Sequence, residues 1–156
     1  MFQKDSDRFH SRKNPRMSYY NYSTPNYYFV TICTRDKRCL FGAPNHLNLF
    51  GKIAEVGLSQ IEPHFPGVRV DKHIVMPNHI HAIVVLTNTK VNLSVVIGQY
   101  KAFVSNRMHK AGHTGPVWQT SFHDHVIRSQ RSYQHIWQYI DSNHAKWQTD
   151  CFYTEV

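Results

Sequence analysis

The segment VRVDKHIVMPNHIHAIVVL, residues 68–86, decides how this chain folds. Two runs rich in β-branched residues, 68–76 and 79–86, are separated only by Pro77-Asn78, a pair of turn formers, and this pattern predicts a β-hairpin. Residues two apart on a strand share a face, with α-carbons about 6.5–7 Å apart. His79 and His81 therefore point together to one side, while Ile80, Ala82, Val84 and Leu86 point to the other and build the core.

Working outward, YYFVTICT at 27–34 is dense in β-branched and aromatic residues and predicts a first strand that ends in the charged turn Arg35-Asp36-Lys37-Arg38. After a loop holding Gly42 and Pro44, the spacing of Ile53, Ala54, Leu58 and Ile61 predicts a helix. Past the hairpin, Val96, Ile97, Tyr100, Phe103 and Val104 give a second amphipathic helix starting near Leu93 and closed by Gly112 and Gly115-Pro116. Residues 122–127 read as a fourth strand. Tyr133, Ile136, Trp137 and Ile140 then share one face of a last helix over residues 132–147. The order strand, helix, strand, strand, helix, strand is that of the α+β ferredoxin-like layout, a four-stranded antiparallel sheet with two helices on one face. The additional C-terminal helix then has the other face available, unless a ligand or second subunit takes it.

With 156 residues the chain has the size of one domain. Residues 1–26, polar and basic through Lys4, Arg8, Arg12, Lys13 and Arg16, read as a flexible arm, and residues 27–156 as a single packed unit. The 18 Lys and Arg against 10 Asp and Glu leave a net charge of +8, which favours a polyanionic partner, nucleic acid first. The longest wholly apolar run, 82–86, is far short of the roughly 20 residues of a spanning helix, and no apolar block follows the basic start. The expectation is a cytoplasmic protein with no membrane partner. Cys33, Cys39 and Cys151 cannot all pair and lack zinc-ligand spacing, which fits a reducing compartment. No GxxxxGK or GxGxxG segment is present, so no nucleotide cofactor is expected, and no close carboxylate pair suggests a glycosidase or a carboxylate-based nuclease.

The pair His79 and His81 can reach one metal ion, although a chain with 12 histidines also produces this spacing by accident. Tyr139 and Asn143, four apart, stack on one helical face. A tyrosine beside a metal ligand is a candidate nucleophile and an Asn oxygen a candidate third ligand; equally, Tyr139 can be a packing residue and Asn143 a helix-end cap. His123 and His125 face one side of the fourth strand, as partners that orient a metal ligand, as proton carriers or as structural residues. Lys101, Arg107, Lys110, Arg128 and Arg131, interleaved with Tyr100, Phe103, Trp118 and Phe122, are candidate DNA contacts and stacking platforms, or a solvated surface over core aromatics.

Four ordered segments, YYFVTICTRDKRCLFG, VMPNHIHAIVVL, LSVVIGQYKAFVSNRMHK and WQTSFHDHVIRSQRSYQHIWQYIDSN, resemble the single-tyrosine transposases of the His-hydrophobic-His superfamily, above all those associated with REP sequences in bacteria. The resemblance spans residues 28–147. It implies that His79, His81 and Asn143 hold a divalent cation, magnesium or manganese, and that Tyr139 attacks single-stranded or hairpin DNA to form a 5′-phosphotyrosine. It also implies a bacterial source, and a homodimer is one arrangement among relatives. One departure stands out: the family often has Asn-Pro where this chain has Asn143-His144. The rival readings are an inactive binder of hairpin DNA or RNA, using strand aromatics such as Tyr28 and Phe29, and a small metal-binding protein.

Overall fold

The computed structural model describes residues 26–87 and 90–155. The expected arm over residues 1–26 falls outside them, except that Asn26 already opens the first strand. In chain order the elements are β1 (Asn26–Cys33), a small hairpin of β2 (Gly42–Ala43) and β3 (His46–Leu47), α1 (Leu49–Ser59), α2 (Ile61–His64), β4 (Val68–Val75), β5 (His79–Leu86), α3 (Leu93–Lys110), β6 (His123–Ile127) and α4 (Gln130–Asp141). A 3-10 segment, His144–Thr149, follows.

The main sheet has the order β4-β5-β1-β6, antiparallel throughout. The helix starts obey capping chemistry: Asn48, Asn92 and Ser129 each accept a bond from a backbone amide three residues on. Gly112, at φ 105, takes the left-handed position that ends α3.

Alternation along the strands divides the interior into two layers. Tyr28, Val30 and Ile32 of β1, Ile80, Ala82, Val84 and Leu86 of β5, and Val126 of β6 pack under α1 and α3. On the opposite face, Phe29, Ile83, Val85 and Ile127 pack against Ile136, Tyr139 and Ile140 of α4. The final helix therefore takes the face that two helices leave open. Among the described residues, no helix is long and apolar enough to cross a membrane.

Three local expectations are corrected. The helix expected to run to residue 147 ends at Asp141, and the chain continues as the 3-10 segment. Trp137, expected on the buried face, is 37% exposed, and Tyr139 takes that place. At about 100° per residue, Tyr133, Ile136, Tyr139 and Ile140 span a compact stripe centred on Ile136, and Trp137 falls on its rim. There it carries the Lys72 ammonium over its ring at 3.8 Å. Finally, Tyr28 and Phe29 are buried at 0% and 1%, so neither offers a face for a base to stack on.

Candidate functional site

Register brings the chemistry together on the α4 face of the sheet. Cys33 pairs with His79 and Thr31 with His81 across β1 and β5, and Thr31 pairs with His123 across β1 and β6. Residues directly opposite share a face. His79, His81, His123 and His125 thus lie on one side of the sheet, and Asp124 is on the other.

The two imidazoles converge, with Nε2 to Nε2 at 3.1 Å. His81 Nδ1 is 2.9 Å from Thr31 Oγ1, and His79 Nδ1 is 2.8 Å from Asn78 Oδ1. Tyr139, in the last turn of α4, sets its ring 5.3 Å from the His81 ring and edge-on to Phe29 at 6.1 Å. Asn143 follows the cap of α4, where Ser142 (φ −91, ψ 1) leaves helical geometry, and its amide donates to the Ile140 carbonyl at 3.2 Å, three residues back. Its side chain makes no capping bond. It donates instead to the Asp150 carboxylate, leaving a buried Oδ1 with no hydrogen-bond partner.

Asp150 is the member that the sequence reading missed. Its carboxylate is 4.0 Å from His79 Nε2, and with both histidines it forms a set whose ligand atoms lie within 4.8 Å of one another. Burial pushes its carboxyl above the ordinary value, and the bonds from the Phe152 amide, Asn143 and Cys151 only partly offset this. No periodicity signals Asp150, because it reaches the site through the fold-back after α4. Two imidazole nitrogens and a buried carboxylate form a donor set that suits a divalent cation. Cys33 shares the face, and burial pushes its thiol up to about 12, so it is protonated at neutral pH in the metal-free protein.

The chain after α4 covers this cluster. Phe152 lies 4.6 Å from the His79 ring and Trp147 stacks on it at 6.1 Å, so His79 and His81 are both 0% exposed. His144, where proline was expected from the resemblance, is 3.1 Å from the Val75 carbonyl through Nε2. A proline could not make that tie.

The candidate DNA contacts divide between the layers. Lys101, Arg107 and Lys110 sit on α3, across the sheet from the histidines, and the Lys101 ammonium donates to the carbonyls of Gln119 and Ser121. Arg107 rests over the Phe103 ring at 4.5 Å. Arg128 and Arg131 are exposed around the start of α4, on the histidine side. Tyr100, Trp118 and Phe122 are buried in the helix-side core and cannot serve as stacking platforms.

No family model matches the chain. An uncharacterized protein of Haemophilus influenzae is 30% identical over 171 aligned positions, covering 94% of this chain and 95% of that protein. Among solved structures, a REP-associated tyrosine transposase bound to a REP hairpin matches with a TM-score of 0.67 at 21% identity, over 84% of this chain and 74% of that one. A transposase candidate from Deinococcus radiodurans matches with a TM-score of 0.55 at 18% identity, over 83% of this chain and 97% of that one. The chain therefore belongs to one family with the Haemophilus influenzae protein, and over most of its length it has the fold of a REP-associated tyrosine transposase.

Proposed function

We propose that this protein is a divalent-cation-dependent transposase that cleaves and rejoins single-stranded DNA at hairpin-containing ends through a phosphotyrosine bond on Tyr139. The observation that carries the reading is the packing of the Tyr139 ring 5.3 Å from the His81 ring, within one subunit and on the sheet face that gathers His79, His81 and Asp150. His79, His81 and Asn143, joined by Asp150, would hold magnesium or manganese. Such a cation, when bound, neutralises charge on the non-bridging oxygens of the scissile phosphate.

The residues of the chain supply the rest. The Tyr139 oxygen attacks phosphorus in line and gives up its proton, the bond from phosphorus to the 3′ oxygen breaks, and that leaving oxygen takes up a proton in exchange. The products are a 5′-phosphotyrosine and a free 3′ hydroxyl. One phosphate diester replaces another, so a second 3′ hydroxyl can reverse the step without ATP. The net charge of +8 supports a nucleic-acid substrate, with Arg128 and Arg131 as phosphate contacts beside α4. The hairpin in the fold relative's structure supports hairpin ends as the target.

A second reading, an inactive binder of hairpin DNA or RNA, is favoured by one observation, the complete burial of both histidines under Trp147 and Phe152. Cleavage requires that cover to shift so that a phosphate can enter. One assay separates the readings: labelled single-stranded hairpin DNA is incubated with the protein and magnesium or manganese, and a covalent adduct is sought after denaturation. Tyr139→Phe abolishes the adduct and leaves DNA binding nearly unchanged. An adduct that persists in Tyr139→Phe removes this tyrosine as the nucleophile, and binding with no adduct in the unmodified protein establishes the second reading.

A further inference from the structure

We propose that Asn78 is a positioning residue, whose side-chain oxygen holds the His79 ring in the tautomer that presents a bare Nε2 lone pair to a cation. The inference rests on the metal reading of the histidine pair. From sequence, Asn78 is only a turn former. In the fold it is 1% exposed, at the tip between β4 and β5, with its carbonyl accepting from the Thr34 amide at 2.9 Å and the Thr34 hydroxyl at 3.0 Å.

The orientation of its amide follows from its partners. Asn78 Nδ2 donates to the Phe152 carbonyl at 2.8 Å and to the Lys37 carbonyl at 3.1 Å. Both partners can only accept, so the NH2 group must face them and Oδ1 must face the other way. That oxygen is the atom 2.8 Å from His79 Nδ1. An amide oxygen cannot donate, so the proton in this bond belongs to Nδ1. A neutral imidazole carries one ring proton, so Nε2 keeps its lone pair, aimed at the point where His81 Nε2 and Asp150 converge.

Thr31 holds His81 differently. A hydroxyl both donates and accepts, so the 2.9 Å contact with His81 Nδ1 allows either tautomer of that ring. The site therefore has one ligand set in advance and one that adjusts. Second partners of this kind are worth about 10–100-fold in metal affinity.

The test uses the full chain. Long-range 1H–15N NMR of the metal-free protein reads the His79 tautomer, and calorimetric titration with Mn2+ reads affinity. The expected results are a His79 proton on Nδ1 in the unmodified protein, and in Asn78→Ala a mixed tautomer with Mn2+ binding weakened about 10–100-fold. Asn78→Asp keeps an acceptor at Nδ1 and restores both readouts, although it gives up the donors to Phe152 and Lys37. A His79 protonated on Nε2 in the unmodified protein overturns the role of Asn78, even if Asn78→Ala fails to fold. So does a tautomer and affinity indifferent to Asn78→Ala. Unmodified protein that keeps the Nδ1 proton but takes up no Mn2+ overturns the metal reading instead, so the two failures are told apart.

Discussion

Replacing Tyr133 by phenylalanine deletes one oxygen from the tie between α4 and the sheet. The phenol donates a 2.6 Å hydrogen bond to Asp71 Oδ2. Asp71 stands where the β4 register slips between Val70 and Lys72, and such a bulge re-aims a side chain, here toward α4. Burial alone would push the Asp71 carboxyl up, but the bonds from Tyr133 and Arg69 outweigh it and hold the group below its ordinary 3.8. The bond to Asp71, aided by burial, pushes the Tyr133 phenol up to about 12. A hydrogen bond to a charged group contributes about 1.5–3 kcal/mol, and solvent reaching this pair reduces that to about 1–2 kcal/mol. Phenylalanine keeps the ring and its edge-on contact with Tyr27 at 5.7 Å, so little else changes. The expected loss in Tm is about 3–6 °C.

The pH dependence of that loss identifies its source. Asp71, with a carboxyl lower in the fold than in the unfolded chain, contributes stability above about pH 4 and loses it as pH falls through the folded value. Tyr133, which holds its proton more tightly in the fold, contributes fully below about pH 10 and loses that contribution as pH rises toward about 12. The gap between Tyr133→Phe and the unmodified protein is therefore widest from about pH 5 to pH 9 and narrows at both ends. Urea denaturation at about pH 2.5, 7 and 11 measures it. An equal gap at all three pH values refutes the assignment of the bond as the cause.

Two further outcomes follow from packing and burial. Gly98, on the exposed side of α3, has nothing within 4 Å of where a Cβ would stand, so Gly98→Ala raises stability by about 0.5–1 kcal/mol. Gly57→Ala gains the same propensity but sets a Cβ 2.8 Å from Tyr100 Cε2 and 3.0 Å from Val104 Cγ2, and the strained α1–α3 contact costs about 1–3 kcal/mol. Calorimetric Tm values must move in opposite directions; shifts of one sign overturn the close-approach argument. For Asp150→Asn, the metal-free protein keeps or gains stability because a costly buried carboxylate is gone, while the rise in Tm on adding Mn2+ shrinks. An undiminished rise removes Asp150 from the ligand set.

Elements that depend on local chemistry are legible in the sequence. β5 runs from His79 to Leu86 as its alternation predicts, and α3 from Leu93 to Lys110 between its Asn cap and its closing glycine. The β2–β3 hairpin lies outside those expectations, although Pro44 and Asn45, the last at φ 59, are its turn residues. The end of α4 differs from the periodic pattern because distant contacts set it: Trp147 is buried over His79, and His144 reaches the Val75 carbonyl.

The candidate site divides along the same line. A spacing of two on a strand is a property of the backbone, so the shared face of His79 and His81 is implicit in the order of residues, whereas the four-residue spacing of Tyr139 and Asn143 crosses the end of α4 at Asp141. Which layer each face joins, and what else arrives there, depends on chain segments that meet only when the sheet is assembled. Asp150, Phe152 and the orientation of the Asn78 amide come from contacts up to 74 residues apart in the chain, and the ties that hold the Lys101 ammonium to backbone carbonyls are tertiary too. Periodicity carries no information about such meetings, because they are selected by packing and by the need of every buried polar group for a partner.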